Sequence, residues 1–332
     1  MTPPPAVVDA HSDLLVEVAF AADEHGEPNP LRDRWLDQLE RGGVALQVCA
    51  IYVEPHQLAG GGLRQALRLA HAFHDGVARN RDRVFAVERA VDLDAVGDGR
   101  TALMLSLEGA DALGADPWLI DVLARLGVRM ASLTWNDANA FAAGCAADGG
   151  LTPLGADAIE RMRRLGIAID LAHAAERTFW EVVERTGAHP LLVSHAACRA
   201  VYDHPRNLSD TQLRALAAVG GVVGLMPHPL VVDPSDHGLG RFLDHVDHAV
   251  TIAGVEHVGV GGDFLRQIAR TLRLPDPAPG IAADAAIDGC EGPADYPRLA
   301  EALQRRGYGQ DEVAALLGGN LLRLLARTLP AA

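Results

Sequence analysis

Short apolar runs alternate with longer amphipathic stretches along the chain. Each run is an almost unbroken series of hydrophobic residues, which is typical of strands that are buried on both faces of a parallel sheet. Most of the runs end in a polar or charged residue. Eight runs can be distinguished: Ala6–His11, Val44–Val53, Ala102–Glu108, Val128–Trp135, Ile167–His173, Pro190–His195, Gly221–Met226 and Val258–Asp263.

Helical periodicity occupies most intervals between the runs and the end of the chain. The predicted helices are Arg32–Arg41, Leu63–Val84, Pro117–Leu126, Gly155–Leu165, Ala175–Thr186, Ser209–Val219, Arg241–Ala253, Tyr296–Arg306 and Asp311–Leu329. Eight strands alternating with helices predict a closed α/β barrel, the (β/α)₈ or TIM barrel. We expect one domain over residues 1–332, with extended loops over the C-terminal face of the barrel.

An open doubly wound sheet is the alternative architecture for such an alternation. No apolar run ends in the GxGxxG loop of dinucleotide-binding folds, which disfavours that class of open sheet. The segment Arg270–Pro293, rich in Pro, Asp, Ala and Gly, is the one long irregular stretch. It follows the eighth predicted strand, so we expect it to cover the active-site face.

Composition and charge narrow the classes of partner. The 332 residues carry a formal charge of −15, which argues against a nucleic-acid partner. Four scattered cysteines without a CxxC pair fit a reducing compartment. No signal peptide and no apolar run of about 18 residues is visible, so the expected location is the cytoplasm, without membrane contact. A homodimer formed through the outer helices is compatible with a barrel.

Residues of the types that bind metals stand at the ends of the predicted strands. In a barrel the C-terminal ends of all strands meet at one face, so residues remote in sequence converge there. The candidate metal ligands are His11, Asp13, Glu108, His173 and His195, and Asp263 ends the eighth run.

This set of residue types predicts a site for two divalent cations. Two cations in proximity repel each other and need a shared anionic ligand, a role that Glu108 can fill with its two oxygens. Histidine and carboxylate ligands without thiolate suit Zn²⁺, with Mn²⁺ or Co²⁺ as substitutes. A water that bridges such ions loses its proton near neutral pH, and Asp263 is the candidate to accept that proton.

Each candidate also has a plain structural interpretation. A single histidine at a strand end is more often a hydrogen-bonded structural residue than a ligand, and Asp13 or Asp263 alone suits a helix cap or a turn. Arg206 follows the sixth predicted strand and suits a bidentate grip on a substrate carboxylate, although it could equally pair with Asp210. Only the joint placement of the ligands favours the metal site.

Taken in order, these motifs resemble those of the membrane (renal) dipeptidase family of the amidohydrolase superfamily. The matching motifs are His11-x-Asp13, Glu108-Gly109, Asp170-x-x-His173, Ser194-His195, Arg206-Asn207 and Gly262-Asp263-Phe264, with Gly150–Gly155 and Gly318–Arg323. They extend from His11 to Arg323, nearly the whole chain.

The resemblance implies that the chain hydrolyses dipeptides, with tolerance for a D-residue at the C-terminal position. His11 and Asp13 would hold one zinc ion, His173 and His195 the other, and Glu108 would bridge them. Asp263 would handle the proton and Arg206 would bind the substrate carboxylate.

The sequence departs from the family pattern at three places around the expected substrate. Trp135-Asn136 stands where many members have a histidine after Leu-Thr, Met226–Pro229 introduces His228, and the loop after Asp263 differs. We therefore take Trp135, Asn136 and His228 as candidate substrate contacts. These departures keep a second reaction open, the hydrolysis of N-acyl amino acids, lactones or other cyclic amides. A binding protein without catalysis is the third alternative.

Overall fold

The computed structural model describes residues 6–331, and within them nine β-strands form one parallel sheet. The strands are β1 (Val7–Asp9), β2 (Val44–Tyr52), β3 (Val84–Ala86), β4 (Thr101–Glu108), β5 (Val128–Ser132), β6 (Ala168–Asp170), β7 (Leu192–Ala196), β8 (Val222–Leu225) and β9 (Val258–Val260).

Eight of these strands close into a barrel. The first strand pairs with the last, with Asp9 opposite Val260, and β2 pairs directly with β4 from Leu46 to Tyr52. The short strand β3 lies outside this ring and pairs only with the first three residues of β4. The predicted (β/α)₈ barrel is therefore confirmed, and the open doubly wound alternative is excluded.

Helices surround the barrel and connect successive strands. The α-helices are Leu14–His25, Asp37–Arg41, Pro55–Arg79, Leu119–Arg125, Pro153–Leu165, Glu176–Thr186, Asp210–Ala218, Pro229–Val232, Leu239–Ala253, Arg266–Leu272, Tyr296–Arg306, Gln310–Ala314 and Asn320–Thr328. Two π-helical turns, Leu31–Leu36 and Ala315–Gly319, precede α-helices. The 3₁₀ turns are Ala90–Ala95, Ala110–Leu113, Val255–His257 and Pro293–Asp295.

Alternate residues of the strands contribute to two separate hydrophobic clusters. In β2, Cys49 and Ile51 pack with the outer helices, whereas Leu46 and Val48 belong to a smaller cluster inside the barrel. Leucines of the helix Asn320–Thr328 join that inner cluster. This alternation follows from the period of two in a strand. The C-terminal helix thus closes the barrel at the end opposite the candidate ligands.

The structure corrects several predicted boundaries. A helix at Leu14–His25, directly after the first strand, was not predicted, and the predicted helix Leu63–Val84 instead spans Pro55–Arg79. The strand β3 begins where that predicted helix ends. Most predicted strands are shorter than their apolar runs. The difference is largest at the C-terminal ends of β5, β6 and β9, which end at Ser132, Asp170 and Val260.

The irregular segment after β9 is also shorter than predicted. Its first residues belong to the helix Arg266–Leu272, and the coil that follows runs to the 3₁₀ turn at Pro293. The helix Arg266–Leu272 spans only about two turns, so it was not recognised as a helix from the sequence. Among residues 6–331 no helix combines the length and the apolar character that crossing a membrane requires.

Candidate metal centre

The segment from β1 to the first helix carries the two N-terminal ligands. Strand β1 ends at Asp9, two residues before the end of the predicted run, so His11 and Asp13 both lie in the connection that follows the strand. Their side chains nevertheless converge, with His11 Nε2 3.7 Å from Asp13 Oδ1. Asp13 stands at the N-cap position of the helix Leu14–His25, but its side chain accepts no capping bond within that helix. Its carboxylate is therefore left to the site.

Glu108, at the end of β4, presents its two oxygens to two different groups of ligands. Oε2 lies 3.3 Å from His11 Nε2, on the side of Asp13. Oε1 lies 2.9 Å from His173 Nε2 and 3.5 Å from His195 Nε2. This division places one carboxylate between two sets of donors, as a bridging ligand requires.

The two remaining histidines approach each other through their Nε2 atoms. His173 follows β6, His195 lies on β7, and their Nε2 atoms are 3.0 Å apart. Burial and the nearby Arg206 lower the pKa of His173 to about 3, and burial with the charge of His11 lowers the pKa of His195 well below its usual value. Both rings are thus neutral at pH 7 and can offer nitrogen lone pairs to a cation.

Several polar atoms in this cluster lack a hydrogen-bond partner among the described residues. They are His11 Nε2, Asp13 Oδ1 and Asp263 Oδ1, and all three are buried. An unsatisfied buried polar atom is costly, and a native site with three of them calls for an explanation. Nitrogen and carboxylate ligands in this arrangement fit divalent metal ions.

The charges of the carboxylates in this cluster also favour the binding of cations. Three buried carboxylates, those of Asp13, Glu108 and Asp263, share the site. Burial and the charge of Glu108 raise the pKa of Asp13 to about 8, while burial raises that of Asp263 to about 6. Burial opposes ionisation of Glu108 as well, but His11 and His173 hold the pKa of its carboxyl well below the usual range. Bound cations would keep all three groups ionised.

Two residues of the cluster adopt left-handed backbone conformations. His173 has φ 65° and Asp263 has φ 41°, a region that residues other than glycine rarely occupy. The backbone N–H of Asp263 donates to the carbonyl of His11 at 3.1 Å, which helps to hold this conformation. Such strain occurs mostly at functional sites, where the surrounding structure enforces it.

Asp263 lies close enough to serve either as a ligand or as a proton acceptor. Its Oδ1 is 3.9 Å from His11 Nε2, and His11, His195 and Asp263 form a third group of ligand atoms within 4.8 Å of one another. One of the other two groups consists of His11, Asp13 and Glu108. The other consists of Glu108, His173 and His195. Of the three groups, only these two share Glu108, so a carboxylate bridge at Glu108 would join these two.

A buried carboxylate, Asp170, supports His195 through a serine. Ser194 Oγ donates to Asp170 Oδ2 at 2.5 Å and lies 2.8 Å from His195 Nδ1. The other oxygen of Asp170 accepts the backbone N–H groups of Ala172 and Ser194. These bonds fix the ring of His195 with Nε2 directed at the centre. Ligand histidines commonly have such an outer partner.

Asp9 supports the backbone around His11 and Asp263, as Asp170 does around His195. It is fully buried, and its Oδ1 accepts the backbone N–H groups of His11 at 3.1 Å and Gly262 at 2.7 Å. Its Oδ2 accepts the hydroxyl of Tyr296 at 2.7 Å. A β-carbon at Gly262 would lie 2.7 Å from Asp9 Oδ2, so this contact requires glycine. Asp9 therefore joins the ends of β1 and β9.

A cavity of about 310 Å³ leads from the cluster to the surface. Asp13, Glu108, His173 and Asp263 line its inner end, whereas His11 and His195 lie behind them. Arg206 also lines it, is 9% exposed, and donates from Nη2 to the carbonyl of His195 at 3.1 Å. Within residues 6–331 its guanidinium forms no ion pair, because Asp210 pairs instead with His248 and Arg214.

Trp135, Asn136 and His228 line the same cavity. Asn136 Oδ1 lies 2.8 Å from His173 Nδ1, so this side chain orients a candidate ligand. The indole of Trp135 lies 5.9 Å from the ring of His173, between centroids. His228 accepts the backbone N–H of Leu230 at Nδ1, while its buried Nε2 has no partner in the described part of the chain.

Comparison with protein families gives a match over nearly the entire chain. The model of the membrane dipeptidase family, peptidase family M19, matches residues 4–331. This chain belongs to the membrane dipeptidase family.

Relatives within this family are named as dipeptidases. Dipeptidase 3 of Rattus norvegicus is 30% identical over 304 residues, which cover 87% of this chain and 57% of the relative. Dipeptidase verJ of Clonostachys rogersoniana is 29% identical over 268 residues, covering 79% of this chain and 65% of the relative. The chain thus matches between half and two thirds of the length of these two relatives.

Solved structures of similar proteins share the barrel. A metallopeptidase from Rhodobacter sphaeroides, solved with a phosphinate mimic of the dipeptide L-Ala-D-Ala, is 25% identical with a TM-score of 0.84. The match covers 98% of this chain and 100% of that one. A second structure, the dipeptidase AC of family M19, is 25% identical with a TM-score of 0.85, and the match covers all of both chains.

Sequence reasoning missed the supporting carboxylates of this family member. Asp170 appeared in a matching motif but was given no role, and Asp9 was visible only as an acidic residue within an apolar run, a position that is costly without hydrogen-bond partners. An acidic residue within an apolar run was therefore the sequence feature that could have indicated a buried, hydrogen-bonded carboxylate. The roles of Ser194 and Tyr296 depend on contacts between distant segments, which a single sequence does not reveal.

Replacing Asp170 with asparagine should weaken zinc binding about 10- to 100-fold, because the amide cannot anchor Ser194 as the carboxylate does. Competition with a chelating dye measures the affinity. Asp121→Asn, which removes a carboxylate paired with Arg161 and Arg164 on the surface, is the matched control and should bind zinc normally. Thermal unfolding checks that both variants are folded. Unchanged zinc affinity in folded Asp170→Asn protein would remove the supporting role.

Proposed function

We propose that this chain is a binuclear zinc dipeptidase that hydrolyses the peptide bond of dipeptides, including those with a D-residue at the C-terminus. The observation that carries the proposal is the placement of Glu108, whose two oxygens face His11 and Asp13 on one side and His173 and His195 on the other. The four free cysteines further support a cytoplasmic location.

Two bound divalent cations would polarise the scissile carbonyl and supply a water of low pKa at the cluster. The protein must then provide a site for the released proton. Asp263 Oδ1 is buried and unpartnered within the described residues, and the pKa of its carboxyl is raised to about 6. We assign it to accept the proton as the water attacks the carbonyl carbon and to donate it to the leaving amine nitrogen.

Arg206 is proposed to bind the α-carboxylate of the substrate. Its guanidinium is buried beside the cavity without an ion-pair partner in the described part of the chain, and burial lowers its pKa. A carboxylate would supply that partner with bidentate geometry. This anchor fixes the direction in which a dipeptide enters the site.

His228 is proposed to donate a hydrogen bond to the substrate. Its Nδ1 accepts a backbone N–H, so the proton of the neutral ring stands on the unpartnered Nε2. Burial lowers the pKa of this imidazole to about 4, which keeps it neutral near pH 7. Trp135 would form one wall of the cavity, and Asn136 would act on the substrate through His173.

Hydrolysis of an N-acyl amino acid or a cyclic amide on the same centre is the second candidate function. The predominantly apolar lining of the cavity favours it, because an acyl chain would suit that surface. An N-acyl amino acid keeps the carboxylate for Arg206 but lacks the free amine of a dipeptide. Rates for dipeptides measured against matched N-acetyl amino acids separate the two functions.

The stoichiometry of zinc tests the centre itself. We expect two zinc ions per chain after supplementation and one at most in Glu108→Gln protein, since the neutral amide cannot bridge two cations. Elemental analysis after gel filtration provides the count. One ion in the unaltered protein would contradict the binuclear assignment, and none would contradict the metal centre.

Asparagine at position 263 should lower kcat for a dipeptide about 100- to 10,000-fold, because the amide cannot accept the proton. Both zinc ions should remain bound, which distinguishes a proton carrier from a ligand. Steady-state kinetics together with metal analysis of the same preparation gives both values. Loss of an ion in Asp263→Asn protein would reassign Asp263 to the third group of ligand atoms.

Removal of the guanidinium in Arg206→Met should reduce kcat/KM for a dipeptide about 10- to 150-fold, the range for a hydrogen bond to a charged group. The matched control is the dipeptide amide, which lacks the carboxylate. It should be a poor substrate of the unaltered protein and lose little further in the variant. An equal loss for the acid and its amide would mean that Arg206 does not bind the carboxylate.

A further inference from the structure

The cavity beside the centre has one wall made entirely of apolar side chains. Leu265, Ile268 and Leu272, on and just before the helix Arg266–Leu272, line it together with Leu274 and with Val16 of the first helix. The charged residues of the lining, Asp13, Glu54, Glu108, Arg206 and Asp263, belong to other connections or to the metal centre. The wall therefore offers no partner to a charged group.

Leu265, at the N-cap position, and Ile268 and Leu272 of the helix recur at intervals of three and four, so they share one face. Ile268 is buried in the main hydrophobic cluster and the two leucines pack against that cluster, and the same face also borders the cavity. The opposite face is polar and contacts the neighbouring helices. The short helix thus presents its apolar side to the space next to the metal ligands.

Polar contacts on the opposite face hold this helix in place. The buried carboxylate of Glu17 accepts bonds from Gln267 at 2.7 Å, from Thr271 at 2.5 Å and from Arg34 at 2.9 Å. On the outer side Arg270 donates to the carboxylate of Asp284 at 2.7 Å. Because Glu17 is fully buried and bonded to three donors, the wall is preorganised and not a mobile loop.

The order of strands around the barrel separates this wall from Arg206. Arg206 follows β7, whereas the wall follows β9 and β1, which lie beyond β8 in the ring. A dipeptide with its carboxylate at Arg206 and its scissile carbonyl at the metal centre directs its first residue away from β7. On the side of β9 and β1, the lining of the cavity includes Leu265 and Leu272.

We propose that the wall formed by Leu265, Ile268, Leu272, Leu274 and Val16 selects dipeptides whose first residue carries a large apolar side chain. This inference rests on the proposed dipeptidase function and adds its specificity. A charged side chain at that position would lose its hydration without gaining a partner, and a glycine would leave the wall in contact with water.

Kinetics with a matched panel of substrates tests the preference. With the zinc-loaded full chain we expect kcat/KM for Leu-Ala to exceed that for Gly-Ala about 10- to 200-fold, the range that hydrophobic pockets reach. Asp-Ala and Lys-Ala should be no better than Gly-Ala. Each peptide is assayed with L- and with D-alanine. Equal rates for Leu-Ala and Gly-Ala in both series would overturn the proposal.

A variant tests which residue of the substrate touches the wall. Leu272→Ala should lower kcat/KM for Leu-Ala about tenfold, while the values for Gly-Ala and Gly-Leu change less than about twofold. Leu67→Ala, a truncation of an exposed leucine on the helix Pro55–Arg79, should change none of them. A loss confined to Gly-Leu would overturn the placement. Leu265→Ala repeats the test if the first variant fails to fold.

A binding measurement separates this proposal from the proposed activity. Phosphinate mimics of Leu-Ala and Gly-Ala are titrated into the zinc-loaded protein by calorimetry, without any reaction. Tighter binding of the leucine mimic by at least tenfold, with no peptide hydrolysed, would support the wall and contradict the dipeptidase function. Hydrolysis of both peptides with equal affinity for both mimics would support the function and overturn the wall.

Discussion

The crowding of acidic groups at the carboxyl ends of the strands dominates this structure. Asp13, Glu108 and Asp263 stand within a few ångströms of three imidazoles, in a place where side chains of the protein leave several of their atoms unpartnered within residues 6–331. A protein interior does not tolerate such a cluster without positive charge. Much of the surrounding architecture can be understood as the means of holding these groups together.

The barrel supplies the common face, but hydrogen bonds set the final positions. Most of the candidate ligands lie just beyond the strands, and two residues of the centre have left-handed backbones. Asp9 and Asp170 are the last residues of β1 and β6. Each accepts a hydrogen bond from the backbone of the segment that follows, which carries His11 after β1 and His173 after β6. The protein thus places the carboxylates of Asp9 and Asp170 behind those of the candidate metal centre. Unlike the latter, these two carboxylates accept hydrogen bonds from donors of the protein at both oxygens.

The sequence allowed the barrel to be predicted because buried parallel strands leave nearly continuous apolar runs. It also indicated the candidate ligands, because residues of metal-binding types stand at or near the ends of those runs, and the structure brings their side chains together. It did not reveal where strands such as β6 stop, because the apolar run continues into the loop. The helix Leu14–His25 was not predicted because its first half is apolar at nearly every position and shows no clear helical period. The wall at Leu265 and Leu272 could not be predicted, since only tertiary contacts decide whether a short apolar face meets the core or a cavity.

The pairing of the first strand with the last has a consequence for the order of events during synthesis. Asp9 binds Gly262 and Tyr296, and Glu17 binds Gln267, so these bonds span 250 or more positions of the chain. Contacts between distant segments form late, because long loops must first be closed. A nascent chain therefore carries the candidate histidine and glutamate ligands before the segment that closes the ring around them has left the ribosome. The centre can be completed only after Gly262, Asp263 and Tyr296 have been synthesised.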